Sequence, residues 1–175
     1  MSNAAKFLQL IKHPIKFRIF LLTKLPSAFF SGVRVVKADE NKCSVKIPYK
    51  WFTTNPFRST YFACLSMAAE MSTGVLAMAH IYQQEPAVSM LVLKVDGSFI
   101  KKATGITVFT CEDGVMIRKT IEDAIFSNEG KTVTARSYGR NSEGEIVADF
   151  AVTWSFKVKA ASSQPFPEGE GTGRL

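Results

Sequence analysis

Between residues 61 and 79 almost every side chain is apolar or small, and this stretch restricts the available folds more than any other part of the chain. A helix that is apolar on all sides has no face for water and must be surrounded by protein. One carboxylate, Glu70, interrupts it. An ionised, unpaired carboxylate in such surroundings costs on the order of several kcal/mol. Glu70 therefore calls for a partner, a shifted pKa or a chemical task.

The flanking segments read as strands. Residues 33–37 and 42–49 are joined by the polar turn Asp39-Glu40-Asn41. In the second, Cys43, Val45, Ile47 and Tyr49 alternate with Ser44, Lys46 and Pro48, the period of a half-buried strand. Pro48 belongs near a strand end because it cannot donate to the ladder. The pattern predicts a helix over roughly 57–80, stopped before Pro86. A strand follows over 88–94, with Asp96-Gly97 marking a bulge or turn. Segments 98–102 and 106–110 read as extended, and 113–127 as a second helix with Ile117, Ile121, Ala124 and Ile125 on one face. Over 146–158 every second residue from Ile146 to Val158 is apolar, and 131–140 is its partner across the turn Asn141-Ser142-Glu143-Gly144. Strands do not alternate with helices, so a doubly wound sheet is disfavoured. The expected class is α+β, a curved antiparallel sheet wrapped around a long central helix.

The chain has 175 residues, 46% of them hydrophobic, enough for one domain with a sizeable core. Three cysteines, Cys43, Cys64 and Cys111, are odd in number and form no close pair, which favours free thiols in a reducing, cytoplasmic setting. His13 and His80 lie far apart, and no Cys/His cluster has metal-ligand spacing, so neither a metal nor a cofactor is expected.

The net charge of +7 sits at one end. Residues 1–38 carry Lys6, Lys12, Lys16, Arg18, Lys24, Arg34 and Lys37 and no acid, while 39–175 are neutral. A neutral body argues against nucleic-acid binding. The sequence divides into a basic helical arm over 1–30, a body over 31–160, and a Ser-, Pro-, Gly- and Glu-rich tail over 161–175 expected to be disordered. Pro14 and Pro26 divide the arm, whose longest unbroken apolar run (residues 19–22) is too short to span a bilayer. Two readings of the arm stand: an amphipathic element that touches an anionic membrane, or helices packed on the domain with lysines in solvent.

This organisation, and the segment from Asn55 to Glu70, resembles the hotdog-fold thioesterases, above all their phenylacetate-pathway branch and its uncharacterised relatives. That branch has an Asn, a His-Gly-Gly at the helix start, and a catalytic Asp or Glu seven residues after the second Gly. Asn55 and Glu70 match in type and spacing, whereas Tyr61-Phe62-Ala63 replace His-Gly-Gly. Phe99-Ile100-Lys101-Lys102-Ala103 with Gly105, and Trp154, are also similar to the family pattern. The likeness covers about residues 30–159. It implies an acyl-CoA or acyl-carrier thioester as substrate, and a homodimer, or a pair of dimers, with the site between two subunits. It also implies an oxyanion donor at the helix N-terminus, which Phe62 and Ala63 can still offer.

Read by themselves, Ser59, Ala63, Ser66, Glu70 and Thr73 recur at spacings of three or four, as on one helix face. Glu70 is the only ionisable group on it. As a catalyst it is a general base on water or a nucleophile toward the carbonyl. Ser66 or Thr73 would orient the water, Asn55 would hold the loop or contact the substrate, and Tyr61, Phe62 and Ala63 would line the oxyanion site. Lys101 and Lys102 would meet coenzyme A phosphates. The structural alternatives are pairing of Glu70 with Arg58 or Arg136, back-bonding of Ser66 and Thr73 to the helix, Asn55 as a helix cap, His80 as a cation at the helix end, and solvent-facing lysines. A non-catalytic binder of a free acyl chain is the competing function.

Overall fold

The computed structural model describes residues 2–159; the tail expected to be disordered lies outside them. Three helices open the chain: α1 (Asn3–Lys12), α2 (Pro14–Lys24) and α3 (Pro26–Ser31). Pro14 and Pro26 occupy first helical positions, where a missing N–H costs nothing. Gly32 closes α3 with φ +77°, a conformation few other residues adopt.

The body follows as β1 (Arg34–Ala38), β2 (Cys43–Ile47), α4 (Phe62–Ile81), β3 (Val88–Phe99), β4 (Thr107–Cys111), α5 (Gly114–Ser127), β5 (Lys131–Arg140) and β6 (Ile146–Val158). All six strands form one antiparallel sheet in the order β1-β2-β4-β5-β6-β3. Helix α4 packs against the sheet, α1 and α5. Its length and hydropathy would suit a membrane span, yet most of it is buried within the domain. Leu65, Ala68, Ala69, Leu76 and Ala77 face Val45, Ile47, Phe109 and Phe150 in the common core. Burying one such Leu or Phe stabilises by about 1.5–3 kcal/mol. Ser72 and Ser137 are matched within this core, their hydroxyls meeting at 2.7 Å, whereas Thr107 Oγ1 is buried with no partner among the described residues.

Three local expectations give way. The stretch from residue 88 to 99 is one continuous strand, with its irregularity between Val92 and Lys94 and no turn at Asp96-Gly97. Gly97 is there because β3 lies close on Phe150: a Cβ would come within 2.5 Å of that ring. Residues 100–102 accordingly leave the sheet. Helix α4 begins at Phe62, not near 57, with Tyr61 as its N-cap residue. The N–H groups of Thr60 and Tyr61 are held by the carbonyls of Ala103 and Thr53, which keeps the preceding loop out of the helix. Finally, His80 is no terminal cation. Its Nε2 lies 3.0 Å from the Glu40 carbonyl, and burial holds its pKa below the ordinary value, so the ring is neutral at pH 7.

Candidate functional site

The expected site residues fall into two places along α4. At its start, the N–H groups of Phe62 and Ala63 have no acceptor among the described residues, and Tyr61 provides no side-chain cap. Free N–H groups at a helix N-terminus favour negative charge. Beside Phe62 lies a cleft of about 630 Å³ lined also by Asn55, Phe57, Tyr61, Phe99 and the run 100–103. The aromatic rings crowd this end: Tyr61 and Phe62 lie 4.8 Å apart, and Phe62 and Phe99 6.3 Å.

Asn55 shapes this loop without capping the helix. Its Oδ1 accepts from the N–H groups of Phe57 and Ser59 and from the Ser59 hydroxyl, at 3.0, 3.2 and 3.3 Å. Such an Asx turn fixes the backbone. Ser59, read from its spacing as part of the helix face, therefore belongs to the loop. Lys101 is paired with Glu145. Lys102 is exposed on the same rim with no ion pair among the described residues.

Two turns further on, Glu70 stands in a different environment. It borders a cavity of about 460 Å³ between α4 and the arm, walled by Phe7, Leu10, Phe17, Phe20, Met71, Val75, Met90 and Trp154 among others. The half-buried Glu70 side chain has no hydrogen bond or ion pair among the described residues, and desolvation alone pushes its pKa up. Neither expected partner reaches it. Arg136 bonds Asp149 at 3.2 Å, and Arg58 forms no ion pair among the described residues. Lys16 is the one cationic residue on the cavity wall.

The hydroxyls beside Glu70 serve the fold. Ser66 Oγ donates to the Phe62 carbonyl at 3.0 Å. Thr73 Oγ1 donates to the Glu70 carbonyl at 2.9 Å and accepts from Trp154 Nε1 at 2.9 Å. Both donor protons are committed to the helix backbone, the back-bonding alternative of the sequence reading, and Ser66 Oγ keeps its acceptor capacity.

Gly74, Met90, Trp154 and the arm complete the wall. Gly74 was legible as a signal: a glycine inside a helix is destabilising by roughly 0.5–1 kcal/mol relative to alanine, so its presence needs a reason. A Cβ there would lie 3.2 Å from Glu70 Oε1 and 3.3 Å from the Trp154 ring, so its absence gives the carboxylate room. The arm residues on the wall, from Phe7 to Leu25, lie far before Glu70 along the chain, and nothing in their local pattern assigns them to this cavity.

A family model matches residues 16–156, nearly the whole folded body together with α2 and α3. The chain belongs to the DUF4442 family. That family is described as a domain of unknown function. No curated protein matches the chain. Among solved structures, this DUF4442 protein is similar to a protein of unknown function and probable thioesterase from Pseudomonas aeruginosa, with TM-score 0.71 and 18% identity over 83% of this chain and 97% of that one. A thioesterase from Haemophilus influenzae aligns with TM-score 0.59 and 10% identity, over 83% and 92%. The PaaI protein from the phenylacetic acid degradation operon of E. coli aligns with TM-score 0.62 and 13% identity, over 87% and 94%. At these identities the likeness establishes the fold: this DUF4442 chain is a hotdog domain, α+β, with its curved antiparallel sheet around α4.

Proposed function

We propose that this DUF4442 protein hydrolyses acyl-CoA or acyl-carrier thioesters, with Glu70 as general base on water or as nucleophile. The observation that carries the reading is an unpaired carboxylate on the wall of an apolar cavity, its pKa raised by desolvation alone. A base whose pKa lies nearer the working pH is a better proton acceptor in the transition state. The acyl chain would lie among the apolar walls. Water attacking the thioester carbon would pass its proton to Glu70, the carbonyl oxygen would gain the negative charge, and the thiolate would leave.

The oxyanion needs donors, and the Phe62 and Ala63 N–H groups have no acceptor among the described residues. Eight residues of helix separate Phe62 from Glu70, about 12 Å at 1.5 Å per residue. One chain therefore cannot bring both to one carbonyl, and the reading requires two copies. Strand β3 favours that assembly: it is a sheet edge of 12 residues with Leu91, Leu93, Val95 and Phe99 exposed. A long apolar edge left open is a pairing surface. A homodimer built there would join the Glu70 cavity of one protomer with the helix start of its partner. Lys102 would then be the residue for a coenzyme A phosphate, and Asn55 the residue that holds the loop.

The competing reading, an acyl-chain binder without turnover, rests on the committed hydroxyls of Ser66 and Thr73 and the aromatic crowding at Tyr61 and Phe62. Hydrolysis assays over short, long and aromatic acyl-CoA separate the two. The hydrolase reading expects turnover that falls by about a hundredfold or more in Glu70→Gln. No turnover by a folded, dimeric wild type, with fatty material co-purifying, would give the binder reading instead.

A further inference from the structure

Helix α2 has two apolar faces with different surroundings. Phe17 and Leu21 turn to the cavity. Ile15, Ile19 and Leu22, spaced by four and three, share the other side and are exposed. Phe30, near the end of α3, is exposed as well, and its ring lies 6.1 Å from Phe52, itself 6.4 Å from Trp51. Trp51 is 88% exposed, whereas the chain's other tryptophan, Trp154, is 3% exposed. Exposed apolar side chains gathered on one helix face, with the exposed aromatic group of Phe30, Phe52 and Trp51, mark a candidate interaction surface.

The charge around the patch selects the occupant. Lys12 and Lys24 are exposed on the same two helices, Lys16 stands at the edge between the outer face and the cavity, and residues 1–38 hold seven bases and no acid. None of these three lysines forms an ion pair among the described residues. A second copy of the arm would bring like charge against like. An anionic bilayer instead offers phosphate groups to the lysines and hydrocarbon to the isoleucines, and tryptophan is suited to the boundary between them. We propose that the outer face of α2, with Phe30 and the Trp51–Phe52 turn, docks on an anionic lipid surface. The cavity beside Glu70 then opens under the segment that meets the bilayer, where acyl chains are concentrated. The docking surface does not depend on the hydrolase reading.

Vesicles of phosphatidylglycerol and phosphatidylcholine, against phosphatidylcholine alone, test the proposal with the full-length protein. Co-flotation with the anionic vesicles should be strong at low salt and fall as salt rises. Trp51 emission should shift to shorter wavelength on binding, and the shift should vanish in Trp51→Phe while flotation persists. Lys12→Glu combined with Lys24→Glu should weaken partitioning by about tenfold or more, as should Ile19→Ser combined with Leu22→Ser, each variant keeping the wild-type circular dichroism. Failure to float with anionic vesicles at low salt would overturn the proposal. So would equal binding to neutral vesicles, or loss of the dimer in Ile19→Ser with Leu22→Ser, which would give this face to a second copy.

Discussion

The start and the middle of α4 offer opposite halves of one chemistry. At Phe62 and Ala63 the helix supplies free N–H groups and a positive dipole end, in an open cleft ringed by aromatics. At Glu70 it supplies a lone carboxylate, in an apolar cavity roofed by the arm. One end can stabilise negative charge and the other can accept a proton. In the proposed hydrolase, their separation along the helix, about 12 Å, would leave a single chain with both halves and no complete site. In this account the two become one site only across a subunit boundary.

The largest effect should come from blocking that boundary. Leu93→Lys combined with Val95→Lys puts cations on the open edge of β3, where pairing with a second copy would oppose like charges. Light scattering should show monomers, and thioester hydrolysis should fall to the level of Glu70→Gln although Glu70 itself is untouched. A monomer with full activity would mean that one chain suffices.

A smaller effect should follow from loosening the Glu70 end alone. In Trp154→Phe, Thr73 Oγ1 loses its buried donor at 2.9 Å and the cavity wall loses part of a ring. Urea unfolding should show a loss of about 1–3 kcal/mol, with the dimer preserved. A change below about 0.5 kcal/mol would mean that the wall does not depend on this bond.

The smallest effect is a pH dependence of stability. Burial raises the Glu70 pKa above the ordinary carboxylate value, so the folded state binds this proton more tightly than the unfolded chain. Stability from this group is fully present below the unfolded pKa and is lost as pH rises through the higher folded one. Lys16 and Tyr82 are the other titratable residues on the cavity wall, and neither bonds the Glu70 carboxylate. Melting temperatures measured from pH 4 upward should therefore fall more in the wild type than in Glu70→Gln, which has no proton to lose. Parallel curves would contradict a desolvated Glu70.

The two ends of α4 also differ in how far the sequence revealed them. An apolar helix broken by one carboxylate declared both the buried element and its odd residue, because burial leaves a compositional trace. The alternation over β5 and β6 was equally legible, since each strand has one face on the core. The helix start was not. Asn55-Pro56 has the chemistry of a cap, and only the long-range bonds from Thr60 to Ala103 and Tyr61 to Thr53 turn it into a loop. The second bond of Thr73 was hidden for a similar reason: its hydroxyl accepts from Trp154, 81 positions away. The arm's place over the cavity belongs to the same class of fact, set by tertiary packing and not by local pattern.

Subunit complementation tests the shared site most directly. Glu70→Gln removes the carboxylate, and Ala63→Pro removes one N–H at a first-turn position that tolerates proline. Each variant alone should be nearly inactive. Unfolding and refolding them together should form mixed dimers in which one site has both defects and the other has neither, restoring roughly a quarter of wild-type turnover. No recovery, with mixed dimers shown by mass spectrometry, would mean that Glu70 and the helix start do not act on one carbonyl from two chains.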